Sequence, residues 1–312
     1  MDNLNVTQIT YGTMDALQVE NEQTVIVVMP KLGGKIASLF NKKKQFEAMY
    51  QSKQGYTLAT YGAPFDAYDS SGYDDAFPNV TKEEVVIEDK TVAYLDHGDI
   101  WSAIFKWKKI QDGIRLTYKD EVRHYTYVKD IRLVGEGVKV TYNITNHAEE
   151  DLYYLWLLHM ICKIEKGMYL ELKEQGIQVI ENASDGSCLG QEGNLTPYPK
   201  VLVEGEYRHF NTLFEAPLNG CEKYYFKHVF KEGYTRLVYP ESDASIILKW
   251  DATQLPYVGV WITQGGYRGE YNCAIEPTTS YYDSVSKAIE TKTHCVLKCN
   301  ESVSFIMEIS IE

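Results

Sequence analysis

Short apolar runs with a two-residue period, broken by Gly, Asp and Asn, recur along this chain. Gly137–Thr145 (GVKVTYNIT) puts Val138, Val140, Tyr142 and Ile144 on one side and Lys139, Thr141 and Asn143 on the other. That is the alternation of a strand with one face in a core. Ser302–Ile311 alternates over its first half and its last, and Thr24–Met29 (TVIVVM) is continuously apolar, as a strand covered on both faces would be. Similar runs at Ala103–Trp107, Ile114–Tyr118, Leu152–His159, Lys223–Val229, Ile246–Trp250 and Tyr257–Thr263 predict further strands. No window carries a 3.6-residue apolar stripe longer than two turns, and only Tyr281–Glu290 suggests a short helix. Many short strands with turn signals between them predict an all-β sandwich or barrel. Pro, Gly and Ser are spread evenly, with no repeat, linker or low-complexity run, so one domain spanning 1–312 is expected.

Composition narrows the partners. With 31 Lys and Arg against 44 Asp and Glu, the formal charge is −13. No basic face is available for nucleic acid or an anionic membrane. The 25 tyrosines suit sheet surfaces and sugar contacts alike. The start of the chain shows no charged-then-apolar leader, and no run reaches the roughly 18 apolar residues of a membrane span. The six cysteines are scattered without metal-site spacing. Reduced thiols in a cytoplasmic protein are the simplest account, with neither metal nor cofactor expected.

The candidate chemistry sits where these runs meet turn residues. Glu276 closes the run Cys273-Ala274-Ile275 and precedes Pro277-Thr278-Thr279-Ser280. A carboxylate so placed is either a base at the lip of a pocket or a turn residue. His97 lies in Asp96-His97-Gly98-Asp99, a loop in which Gly allows close approach to the backbone and the acids favour a protonated imidazole; an exposed turn is the plain alternative. His159 is the lone ionisable group at the end of the apolar Leu152–Leu158 run, either a satisfied core residue or a functional one. Asp74 and Asp75 are adjacent, so only one can face a given site if the segment is extended; an Asx-type turn would also explain them. Calcium has little support, because the spacing of a calcium loop is missing. Trp261 could stack on a sugar ring or pack in the core. The other five histidines carry no signal.

Taken in order, these pieces resemble the aldose 1-epimerase (galactose mutarotase) superfamily. The matching stretches are Pro30–Leu39, Gly72-Tyr73-Asp74-Asp75-Ala76-Phe77-Pro78, His97-Gly98, Leu155–His159 and Ala274-Ile275-Glu276-Pro277. Each is short; their order and spacing along the chain carry the resemblance. It implies a large antiparallel β-sandwich of the galactose mutarotase-like type, with a sugar site on a concave sheet face. It also implies interconversion of the α and β anomers of an aldose. By position, Glu276 would be the general base, His159 the general acid and His97 a sugar-binding assistant. The chain departs from the family in two places. Trp101 stands where many members have a sugar-contacting Arg, and Met160-Ile161-Cys162 follows the second histidine instead of Pro-Tyr-Phe. By the resemblance, Asp74 or Asp75 would stand in for the family's sugar-binding Asp. Asp74, Asp75, Trp261, Trp101 and Arg268 are therefore the expected substrate contacts, in a divergent branch. The expected partner is a small-molecule carbohydrate, with a homodimer as the assembly to consider. Two alternatives are a non-catalytic carbohydrate-binding or sensing protein and a hexose-phosphate 1-epimerase, for which Lys35, Lys227 and Arg268 are the available cations. A lyase for acidic polysaccharide would want an extended basic groove.

Overall fold

A computed structural model describes residues 4–212 and 219–312. The expected domain span of 1–312 includes residues 1–3 and 213–218, which lie outside the described residues. Two large antiparallel sheets dominate, one of twelve strands and one of eight. The alternating segments behave as their patterns require. Gly137–Asn146 pairs with Tyr125–Val134 on one side and Ser302–Ile311 on the other, at the centre of the smaller sheet. Its Val138, Val140, Tyr142 and Ile144 are all buried in the main core, beside residues of the larger sheet such as Leu17, Ile26, Met160 and Val260. That core separates the two sheets, so the chain folds as an antiparallel β-sandwich. The only α-helix among the described residues is Val285–Glu290, capped by Ser284; it falls within the short window expected from sequence. Among the described residues, no helix is long and apolar enough to cross a membrane.

The expected strand boundaries fail where tertiary pairing intervenes. Leu152–His159 is two strands, not one: Leu152–Tyr154 pairs with Cys295–Leu297, while Leu157–Lys163 joins the larger sheet. His159 is thus an interior residue of its strand. Glu276 likewise sits two residues before the end of Tyr271–Thr278, because Pro277 and Thr278 still lie opposite Val258 and Tyr257. Of Ala103–Trp107, only Lys106 and Trp107 are strand, within Lys106–Ile110. The Lys223–Val229 run forms Cys221–Phe226.

The strands that matter for function are central in the larger sheet. In spatial order they are Gly72–Ala76, Leu157–Lys163, Tyr271–Thr278, Tyr257–Gln264 and Cys221–Phe226. Their registers align one row of residues across the sheet. His159 lies opposite Asp74, Gly259 opposite Glu276, and Tyr225 opposite Gly259. Leu157 faces Thr278 and Ile161 faces Ala274, so the same register sets His159 against Glu276. The row Asp74, His159, Glu276, Gly259, Tyr225 therefore presents its side chains on one face. The opposite parity, including Leu158, Met160, Ile275 and Val260, faces the core between the sheets.

Candidate functional site

A cleft of about 560 Å³ opens on the outer face of the larger sheet, within the size range of small-molecule sites. His97, His159, Lys223, Trp261 and Glu276 all line it. The sheet supplies four of these from neighbouring strands, and a loop brings the fifth.

That loop is shaped by backbone geometry. His97 has φ of 56° and Gly98 a φ of 75°. A Cβ on Gly98 would lie 2.1 Å from the Phe77 carbonyl oxygen, so both the dihedral and the close approach require glycine. His97 Nδ1 donates to Asp96 Oδ1 at 2.8 Å, and Asp96 Oδ2 accepts the Phe65 amide at 2.8 Å. Burial works against the Asp96 charge, but the His97 bond and its neighbours outweigh it and hold the carboxyl below its ordinary range. The His97 ring stacks on Phe65, with centroids 3.9 Å apart and planes within 13°, and lies 5.6 Å from the His159 ring. With Nδ1 committed, Nε2 is the nitrogen left for a ligand.

His159 is held from below. Its Nδ1 donates to Asp74 Oδ1 at 2.8 Å, and Lys35 Nζ lies 3.2 Å from Asp74 Oδ2 and 2.5 Å from Asp69 Oδ2. Lys35, Asp69 and Asp74 are all buried. Burial alone would raise the Asp74 carboxyl; Lys35 and His159 reverse that and hold it at about 2. Asp74 is therefore a fixed anion that orients the imidazole and leaves Nε2 toward the cleft. Phe65 also meets the His159 ring edge-on at 5.3 Å.

Glu276 is 1% exposed and bonds Lys223 Nζ, which also lies 3.5 Å from Asp283 Oδ1. Burial disfavours the Lys223 charge, yet Asp283 and Glu276 together lift its pKa above the usual lysine value. Gly259 makes room for this arrangement: a Cβ there would sit 2.9 Å from Glu276 Oε2 and 3.2 Å from the Tyr225 ring. Tyr225 is held in turn by its hydroxyl on Asp283 and by ring contacts with Tyr281 and Tyr282.

Sequence reasoning placed other residues less well. Asp75 points to the core face, as alternation from Asp74 requires; it accepts from Tyr127 and Tyr142 at 3.0 and 2.8 Å and pairs with Lys129 at 2.6 Å. Burial keeps its carboxyl above the ordinary range even so, and it cannot reach a ligand in the cleft. Asp74 is close to the cleft but behind His159, not beside the ligand space. Trp101 is buried, with Nε1 donating to the Asp96 carbonyl and its ring against Phe65; it supports the loop and does not line the cleft. Arg268 donates from Nη1 to the carbonyls of Asp66 and Tyr68, 2.7 Å each, and pins one wall in place. Its neighbour Tyr267 is the cleft-lining residue of that turn. Trp261 faces the cleft rather than the core, with Nε1 donating to Asn272 Oδ1 at 3.1 Å. Lys223, Asp283 and Phe65 went unread in the sequence. For Lys223 a signal existed: a lysine between Glu222 and Tyr224 in a strand whose other residues are largely apolar and aromatic. Asp283 sits in a bend and Phe65 opens the one-turn 3-10 helix Phe65–Ala67, with no pattern to single either out.

Among the described residues, no group of three or more His, Cys, Asp or Glu side chains is arranged to hold a metal ion. The six cysteines are free thiols.

Neither a known protein-family profile nor any curated protein sequence matches this chain. Solved structures do. A galactose mutarotase-like protein from Clostridium acetobutylicum superposes with a TM-score of 0.70 at 17% identity, covering 100% of this chain and 99% of that one. A galactose mutarotase related enzyme from Lactobacillus acidophilus gives 0.70 at 14% identity, covering 95% and 97%. A candidate aldose 1-epimerase from Escherichia coli K12 gives 0.69 at 16% identity, covering 99% of each. The chain therefore has the galactose mutarotase-like fold, shared with these structures at 14–17% identity. A shared fold leaves the activity to be argued from the site.

Proposed function

We propose that this protein is an aldose 1-epimerase acting on an uncharged free sugar. The observation that carries the reading is the register: it makes His159 and Glu276 cross-strand neighbours on one face of the sheet, under the same cleft as His97. Ring opening needs a proton removed from the anomeric hydroxyl and another delivered to the ring oxygen. Glu276 supplies the carboxylate for the first step and His159 Nε2 the donor for the second. The O1–H electron pair becomes the C1=O bond as the C1–O5 electrons take the His159 proton. Rotation about C1–C2 and reversal of both transfers closes the ring from the other face. His97 Nε2 binds the sugar, and Trp261 offers its ring to the apolar face of the pyranose. Each well-placed proton-transfer partner contributes on the order of 10²–10⁴ in rate.

The charges of the cleft support an uncharged sugar over a phosphate ester. Lys35 is locked beneath His159, Lys227 pairs with Glu181 at 2.5 Å, and Arg268 bonds backbone carbonyls. The lining cations Lys82 and Lys223 are outnumbered by Asp66, Asp96, Glu276 and Asp283. One observation favours a non-catalytic sugar-binding protein instead: Lys223 already occupies the Glu276 carboxylate. NMR exchange between anomers on a panel of aldoses decides between them. Exchange above the spontaneous rate, lost in Glu276→Gln, supports the epimerase. Calorimetric sugar binding with no added exchange supports the binding protein.

A further inference from the structure

The Lys223 ammonium carries three N–H donors. One goes to Glu276 Oε2 and a second faces Asp283 Oδ1 at 3.5 Å. Lys223 lines the cleft on the same side as Trp261, its cross-strand neighbour. Its third donor has no protein partner among the described residues. The ammonium also lies 5.5 Å from the centre of the Tyr225 ring, so its position is fixed from several sides. A buried lysine this constrained has lost most of its rotamer freedom in advance, which is what a preorganised donor requires.

We infer that Lys223 is a catalytic residue of the epimerase reaction, donating its third N–H to the anomeric oxygen O1 as that oxygen gives its proton to Glu276. The inference rests on the epimerase reading. Any hydroxyl that donates to Glu276 is drawn next to the ammonium already bonded to that carboxylate. As the O1–H bond breaks, negative charge grows on O1 ahead of C1=O formation, and a fixed cation there stabilises the transition state more than the neutral hemiacetal. The step balances: the proton passes to Glu276, the O1 electron pair forms the carbonyl, and the C1–O5 electrons accept the His159 proton. Lys223 transfers nothing. Its pKa stands above the ordinary value because Asp283 and Glu276 outweigh burial, so the charge persists at neutral pH. Asp283 acts through Lys223 as a positioning residue, anchoring the ammonium so that it need not leave Glu276 to serve O1.

The test compares Lys223→Met and Lys223→Gln with the wild type by anomer exchange on the best aldose of the panel, with thermal melting as a check on folding. The inference expects kcat to fall on the order of 10²-fold in Lys223→Met, with KM changed less than about threefold, because a donor used only in the transition state is lost. Lys223→Gln keeps an N–H without the charge and should fall between the two; if Lys223→Met does not fold, Lys223→Gln decides by the same split of kcat against KM. In a Glu276→Gln background, Lys223→Met should cost less than it does alone, since the two groups act on one oxygen. Equal or faster turnover in the folded lysine variants overturns the inference and marks Lys223 as a brake on the base, with the epimerase reading intact. Absence of exchange by the wild type on every aldose overturns both.

Discussion

Gly259→Ala is the sharpest single perturbation the site offers. Gly259 lies directly opposite Glu276, and an added Cβ would sit 2.9 Å from Oε2. The other close atoms belong to the Tyr225 ring at 3.2 Å, and that ring is held by Asp283, Tyr281 and Tyr282. The carboxylate is the movable party. To reach the ordinary contact distance of 3.4 Å it must retreat by about half an ångström. Displacements near 1 Å cost roughly 10²-fold in rate, so we expect kcat to fall about tenfold or somewhat more, equivalent to about 1.4 kcal/mol in the barrier. Stability should change little. The overpacking term of about 1–3 kcal/mol is eased by the yielding carboxylate and offset by the roughly 0.5–1 kcal/mol that glycine costs in a strand. Polarimetric progress curves and a melting curve on the same sample measure both quantities. A Gly259→Ala protein with unchanged kcat and KM would refute the assignment of Glu276 as the base, because the group the substitution must move would then be irrelevant to turnover.

Four further outcomes follow from the same geometry. Glu276→Gln, which keeps the shape of the side chain, should reduce exchange by at least about 10²-fold while the protein still melts cooperatively; residual activity near wild type would count against the proton route. Phe65→Ala removes the ring stacked on His97 at 3.9 Å and should raise KM several-fold with a smaller effect on kcat, measured in the same assay. Lys35→Met leaves Asp69 and Asp74 without their cation in a buried setting and should destabilise by about 3–5 kcal/mol in urea unfolding; a loss below about 1 kcal/mol would show that water or a rearranged partner replaces it. Asp74 gives a pH signature. Its carboxyl is held at about 2 in the folded protein against an ordinary 3.8, so it is a depressed acid. Its stabilisation is fully present above pH 4 and lost as pH falls through 2, amounting to about 2 kcal/mol. Asp74→Asn should remove that portion of the acid-unfolding curve, and an unchanged curve would argue against the Lys35–Asp74–His159 chain of contacts.

The fold was largely legible in the chain. Period-two runs such as Gly137–Thr145 and Ser302–Ile311 lie in strands because alternation is a local property, fixed by the backbone pleat and by which side meets water. Glu276, His97 and His159 could be picked out as ionisable groups beside apolar runs and turns. Parity alone said that Asp74 and Asp75 could not both face one site. The site itself was not legible, because partners are chosen by register and not by sequence distance. His159 meets Asp74 across 85 residues, and Lys223 meets Glu276 across 53. The apolar and aromatic strand around Lys223 hints that this lysine is buried, but nothing local says which carboxylates it will meet. For the same reason Asp75, Trp101 and Arg268 looked like ligand contacts and proved to be parts of the support. The chain by itself determines that β-strands form and which side of each is apolar. Only the assembled sheet decides which strands lie side by side, and so which carboxylate, imidazole and ammonium share a cleft.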